Sequence, residues 1–71
     1  MEREIVARFL GKFVKLEKRT MMPGRNSWKL YGTIQEVTKT SVIIFTDRQS
    51  AILLEDIVAI EESQDRRGNF G

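Results

Sequence analysis

The chain has 71 residues, a length that fits one small domain and is too short for two. Its composition, 41% hydrophobic and 31% charged with a net charge of +2, is typical of a globular protein and excludes a disordered one. Cysteine and histidine are both absent, which excludes a disulfide framework and a thiolate zinc site and removes the usual general base and nucleophile of enzymes. We predict no metal and no cofactor.

No apolar run approaches the roughly 20 residues needed to span a bilayer. The first ten residues include Glu2 and Glu4 and lack a long apolar stretch, which argues against a signal peptide. We therefore expect a cytoplasmic protein without a membrane partner.

Charge is unevenly distributed along the chain. Residues 1–46 hold nine Lys/Arg against four Asp/Glu, whereas residues 47–71 hold three against six. A domain with this dipolar distribution can present one basic face to an anion. The alternative is ordinary mixed surface charge on a small soluble domain.

A short helix is predicted from Glu2 to Leu10. Ile5, Val6 and Phe9 recur at helical spacing, and the acidic N-terminal residues suit the positive end of a helix dipole. A glycine at position 11 then offers a stop. A helix of about two turns is marginal alone, so we expect it to pack on the rest of the domain.

Five strands are predicted after the helix. From residue 12 the apolar residues recur at every second position, which predicts a strand with Val14 and Leu16 on one face. The second strand would turn Leu30, Gly32 and Ile34 inward, and a glycine inside a strand indicates a sharp bend or a close backbone approach. The remaining strands are predicted at residues 28–37, 41–46, 50–54 and 57–61. This pattern predicts a mainly β fold, a small and strongly bent five-stranded barrel over residues 1–62, followed by a disordered tail at 63–71.

The last three strands are apolar on both faces. Val42 and Ile44 oppose Ile43 and Phe45, and the fourth and fifth strands repeat the pattern. A small barrel has one interior, and a short helix covers only part of its exterior, so a large apolar surface would remain in water. A change of the inward face within a strand is the alternative. We expect a homo-oligomer joined through strands four and five, with interface residues Ala51, Leu53, Val58 and Ile60.

Residues 15–31 combine basic and aromatic side chains, with Glu17 as their only acid. Lys and Arg contact phosphates, and Trp28 and Tyr31 are suited to stacking on unpaired bases, a contact worth about 1–3 kcal/mol per base. Two further cations in other turns are expected to join the same face. The alternative is that Trp28 seals one end of the barrel while the cations keep the loop soluble. The candidate RNA-binding residues are Lys18, Arg19, Arg25, Trp28, Lys29, Tyr31, Lys39 and Arg48.

Catalysis is not expected. The adjacent carboxylates Glu55-Asp56 and Glu61-Glu62 fall at strand ends, and neighbours on a strand point to opposite faces. Neither pair therefore converges on a substrate. No glycine-rich loop that cradles phosphate is present.

Residues 11–61 resemble the Sm-like family. The resemblance is carried by GKFVKL at residues 11–16, YGTI at residues 31–34 and ILLEDIVAI at residues 52–60. It implies an N-terminal helix, five strongly bent strands, assembly into rings and single-stranded RNA as partner. The second and third motifs are also similar to the Sm-like C-terminal domain of a bacterial ribosome-maturation factor.

The sequence departs from the family at its uridine pocket. RNA-binding Sm proteins carry Asp and Asn between strands two and three, where this chain has EVTKTS at residues 36–41. They carry a basic residue and glycine between strands four and five, where this chain has LEDI at residues 54–57. The PRC-barrel family shares the G-K-x-V opening, the strand-two glycine and the L-x-D-I-x-x-I ending. That likeness implies an adaptor module. As the alternative function we predict a protein–protein interaction barrel that does not bind nucleic acid, with its apolar strand faces and the flexible Met21 and Met22 docking a partner protein.

Overall fold

The computed structural model describes residues 1–20, 23–24 and 27–64. One short helix precedes five strands in this part of the chain, and the predicted order and mainly β class are confirmed. The strands end within a residue of the predicted bounds. The elements are α1 (Arg3–Ala7), β1 (Phe13–Arg19), β2 (Ser27–Val37), β3 (Ser41–Phe45), β4 (Gln49–Leu53), a 3-10 turn (Leu54–Asp56) and β5 (Ile57–Glu62).

The helix is shorter than predicted, spanning Arg3–Ala7, and Val6 is its buried residue. The helix ends at Ala7 with Arg8 as its C-cap, so the predicted stop at Gly11 lies too far along the chain. Gly11 has a φ of 80°, a conformation that glycine adopts without steric cost. Its N–H donates to the carbonyl of Ile34 at 2.8 Å, which directs the chain into β1. No helix among the described residues has the length and apolar character needed to cross a membrane.

The five strands form one antiparallel sheet in the order β4-β3-β2-β1-β5. β4 and β5 are its two edges, and no ladder joins them within the described residues. The predicted closed barrel is therefore wrong: the sheet is open. Of the eleven residues of β2, only the second half, Thr33–Val37, pairs with β3. β3 and β4 have five residues each and do not extend round the core to β5.

One hydrophobic core covers one side of the sheet, which we call the inner face. Val14 and Leu16 are fully buried there, as their alternation predicted, and so is Ile34. Leu30 packs against this core and is half-buried. Because side chains from both edge strands share the core, the sheet curves around it. The buried set is Val6, Val14, Leu16, Ile34, Val42, Ile44, Ile52, Leu54 and Ile57.

Gly32 packs closely against the end of β3. A Cβ atom at this position would fall on the carbonyl oxygen of Phe45. It would also lie 2.9 Å from Cγ2 of Thr46 and 3.0 Å from Cγ1 of Ile44. The predicted close backbone approach is confirmed.

The opposite side of the sheet, which we call the outer face, carries apolar side chains of β3 and β4. Phe45 is 43% exposed and Leu53 is 45% exposed, while their neighbours Ile44 and Ile52 are buried. As expected, β3 and β4 therefore carry apolar side chains on both faces of the sheet.

In β5 a bulge changes the alternation. The register with β1 shifts between Glu17 and Lys18, which leaves Val58 as an extra residue. Val58 and Ala59 are both exposed, and Ile60 returns to the inner face. A change of inward face within a strand thus occurs here, and the bulge is its cause.

Candidate nucleic-acid interface

The β1–β2 hairpin carries most of the predicted RNA-binding residues. Its ladder runs from the pair Phe13 and Thr33 to the pair Arg19 and Ser27. Arg25 lies outside the described residues, in the segment that joins the two strands. The described candidates in the hairpin are Lys18, Arg19, Trp28, Lys29 and Tyr31.

Lys18 and Trp28 face each other at the open end of the hairpin. Directly opposed residues have Cβ atoms about 4.5–5.5 Å apart and share a face of the sheet. The indole is 42% exposed and Lys18 is half-buried. The side chains of Lys18 and of the chain's only tryptophan therefore project from the same face at this end of the hairpin.

The other candidates of the hairpin lie on the outer face. Tyr31 is opposite Lys15, and Lys29 is opposite Glu17. Since side chains alternate along a strand, Trp28 and Tyr31 point to opposite faces of β2. They cannot stack on the same base, and the basic and aromatic cluster is divided between two faces.

Arg19 also supports the fold. Its guanidinium donates to the backbone carbonyl of Glu55 at 2.7 Å, within the 3-10 turn that joins β4 to β5. A hydrogen bond of this kind contributes roughly 1 kcal/mol to stability. Substitution of Arg19 therefore changes a structural contact as well as the surface charge.

Lys39 and Arg48 lie away from the hairpin loop. Lys39 is in the turn between β2 and β3, at the far end of β2, beside a depression of about 470 Å³ lined by Thr40, Leu53 and Glu55. Arg48 is in the turn between β3 and β4, and its Nε lies 3.8 Å from an Asp47 carboxylate oxygen. The structure does not bring these two cations together with Lys18 and Trp28.

An acidic side chain offsets part of the basic charge on the outer face. The Nζ atom of Lys15 lies 3.2 Å from a carboxylate oxygen of Glu61. A second ion pair, Lys12–Glu62 at 3.8 Å, does not belong to this face, because Glu62 is opposite the buried Val14. The hydrogen bond and the negative charge of Glu61 raise the pKa of Lys15 above its usual value.

Replacing Glu61 by glutamine is expected to lower the pKa of Lys15 towards the usual lysine value. A raised lysine pKa stabilises the fold below the unfolded-state pKa, and this contribution disappears as the pH rises through the folded-state pKa. The stability difference between wild type and Glu61→Gln should therefore vanish at strongly alkaline pH. An NMR titration of the Lys15 side chain measures the shift, with Glu62→Gln as control. An unchanged Lys15 pKa in Glu61→Gln would show that the ion pair does not form in solution.

Three of the four predicted interface residues are exposed on the two edge strands. Ala51 and Leu53 lie on β4, and Val58, 56% exposed, lies on β5. Ile60 is half-buried, opposite Leu16, and packs against the core. Within the monomer, the Ile60 side chain therefore contributes mainly to packing against the core.

The β4 edge is regular and uncharged. Gln49–Leu53 contains no charged residue and no proline, and its five consecutive pairs with β3 show no register shift. The N–H of Leu54 donates to Thr40, and amide directions alternate along a strand, so the N–H groups of Ala51 and Leu53 point away from β3. Such an edge is a template for another strand.

Two aromatic residues that were not among the predicted RNA-binding residues lie with Tyr31 on the outer face. Thr33 of β2 is opposite Phe13 on one side and opposite Phe45 on the other. Alternation with Val14 already places Phe13 on the face away from the core. Its position beside Tyr31 depends on the strand register, which no local sequence signal reports.

No protein-family model matches the chain, and neither a curated protein nor a solved structure matches it significantly. The chain's own residues are therefore the basis for assigning a function.

Proposed function

We propose that this domain is a non-enzymatic RNA-binding module of the Sm-like type that acts as a homo-oligomer. The observation that carries the proposal is the Lys18–Trp28 pair at the end of the β1–β2 hairpin. The pair lies in a segment, residues 15–31, with five Lys/Arg and one acid. A cation beside an exposed indole matches the phosphate and the unpaired base of one nucleotide.

Single-stranded RNA is the form that this pair suits. Stacking on Trp28 requires a base whose face is not already covered by its neighbours, as in loops and single strands. Lys18 would contact a phosphate on the face that carries Trp28, and Lys29 would contact a phosphate on the opposite face of β2. Such contacts weaken as salt concentration rises.

The two sheet edges support assembly through strands four and five. β4 of one copy would add to β5 of the next, covering Leu53 and Val58 and pairing the outward N–H groups of β4. Because the two edges differ, the contact is head-to-tail and builds a ring where the rotation closes. A ring would present several hairpins to one RNA and increase avidity.

Reversing two charges tests the RNA site. The double variant Lys18→Glu/Lys29→Glu is expected to lose at least about tenfold in affinity, because two phosphate contacts become repulsive. The slope of log affinity against log salt concentration should become shallower by roughly 0.7 per lost contact. Fluorescence anisotropy with a labelled single-stranded uridine oligomer at several salt concentrations measures both quantities.

Lys39→Glu is the control for one charge reversal away from the hairpin. It replaces a single lysine in an exposed turn at the far end of β2, so affinity should stay close to that of wild type. Circular dichroism checks that each variant is folded. A folded Lys18→Glu/Lys29→Glu protein that binds like wild type would refute the site.

A protein-interaction barrel is the second candidate function, and the uncharged β4 edge favours it. An extended peptide from another protein can add to an exposed edge strand through main-chain hydrogen bonds. Light scattering separates the two functions. The adaptor is supported if the protein is monomeric alone, gains particle mass only when a protein partner is added, and carries no nucleic acid after purification.

A further inference from the structure

We infer that the outer face of the sheet is a base-stacking platform for single-stranded RNA, formed by Phe13, Tyr31 and Phe45 around Thr33. This inference rests on the proposed RNA-binding function. It adds a second contact surface, on the side of the sheet opposite to Trp28.

The strand register brings the three rings together. Phe13 and Phe45 flank Thr33 in one row across β1, β2 and β3. Strands are about 4.8 Å apart, so the Cα atoms of Phe13 and Phe45 are separated by about 10 Å. Tyr31 lies two residues from Thr33, about 7 Å along β2. These separations suit rings that contact different bases of one strand.

The rings face solvent. Their chain neighbours Val14, Gly32 and Ile44 are buried, so Phe13, Tyr31 and Phe45 point away from the core. Tyr31 is 51% exposed, Phe45 is nearly as exposed, and Phe13 is half-buried. α1 contributes its buried side chain, Val6, to the core on the inner face.

The rings are carried on neighbouring paired strands. Gly32 allows the Phe45 backbone to pack closely against β2 next to this row. Aromatic side chains on paired strands of a sheet keep their spacing better than side chains on loops, which lowers the entropy lost on binding.

Cationic side chains border the rings. Lys15 is directly opposite Tyr31, and Lys29 is two residues away from it on the same face. Arg48 lies in the turn that follows Phe45. A sheet that displays aromatic rings between cations is the arrangement by which small sheet domains stack unpaired bases.

The acidic partners of these cations are exposed and can be displaced. The pairs Lys15–Glu61 and Arg48–Asp47 are surface ion pairs, which contribute little to stability. A phosphate can therefore replace the carboxylate at small cost. Nucleic acid fits this border of cations better than a second copy of the chain, which would bring its own cations against them.

The experiment removes the rings and keeps the charges. In Tyr31→Leu/Phe45→Leu both sites stay apolar, and in the control Tyr31→Phe/Phe45→Tyr both keep a ring. The two probes are a uridine oligomer and a ribose-phosphate oligomer of the same length without bases. Wild type should prefer the base-bearing probe, and the leucine pair should reduce that preference by about tenfold or more with an unchanged salt slope. The control pair should retain the preference.

Tyrosine fluorescence tests the contact directly. The chain has one tryptophan and one tyrosine, so Tyr31 is the remaining strong emitter in Trp28→Phe. We expect the uridine oligomer to quench this emission and the base-free oligomer to leave it unchanged.

The outcomes separate this inference from the proposed function. A folded leucine pair with undiminished preference for bases would overturn the platform and leave hairpin binding intact. Wild-type protein that binds neither probe would overturn both. A leucine pair that lowers the particle mass without changing the preference would show that the outer face joins copies of the chain, which also overturns the platform.

Discussion

Gly32→Ala is expected to destabilise the domain by about 3 kcal/mol, the upper end of the cost of overpacking a close-packed site. The added methyl group would collide with the carbonyl oxygen of Phe45 and crowd Thr46. Backbone cannot move aside as a flexible side chain does, so β2 and β3 would have to separate. A domain of this size has roughly 3–5 kcal/mol of stability from its core, so the variant should retain only about 0–2 kcal/mol.

Urea denaturation followed by Trp28 fluorescence measures this cost. Gly24→Ala is the comparison, because Gly24 has a φ of 75° but no atom within 4 Å of an added Cβ. Its cost should be about 1 kcal/mol, from backbone strain alone. Equal costs at the two glycines would show that the collision at Gly32 is relieved by relaxation.

Ala51→Pro is expected to convert the proposed oligomer into a monomer of 8.2 kDa. Proline removes an N–H group that points away from β3, where the next copy would bind. The β3–β4 ladder does not use this group, so the subunit should stay folded. Loss of assembly should also reduce affinity for a long RNA more than for a short one, because avidity is lost.

Ala51→Val is the matched control for this edge. Valine keeps the N–H group and favours the strand, so the particle mass should stay that of wild type. Light scattering with size exclusion measures the mass, and circular dichroism monitors the fold. An Ala51→Pro protein that is folded and still assembled would place the contact elsewhere, and a monomeric wild type would remove the oligomer altogether.

Local sequence patterns were sufficient for the elements and for most of the core. Alternation in β1 identified Val14 and Leu16 as buried, and helical spacing identified the short helix, although it ends at Ala7 rather than Leu10. The position of Gly32 within a strand indicated its close contact. These features follow from periodicity and backbone freedom, which act over a few residues.

The candidate site was harder to predict because its geometry depends on strand pairing. Trp28 and Tyr31 are three residues apart, so alternation alone separates them once both are known to lie in one regular strand. The contact of Arg19 with Glu55 joins residues far apart in the chain and leaves no local signal. The same holds for the row of Phe13, Thr33 and Phe45.

Sequence patterns predicted a mainly β domain with a short helix, five strands and the inward sides of the first two strands, because burial of alternate residues is a local pattern. The open sheet, the bulge at Val58 that turns Ile60 inward, and the pairing of residues across strands became known from the three-dimensional structure. Register and closure depend on strand lengths and curvature over the whole sheet, since each ladder must accommodate the others around one core.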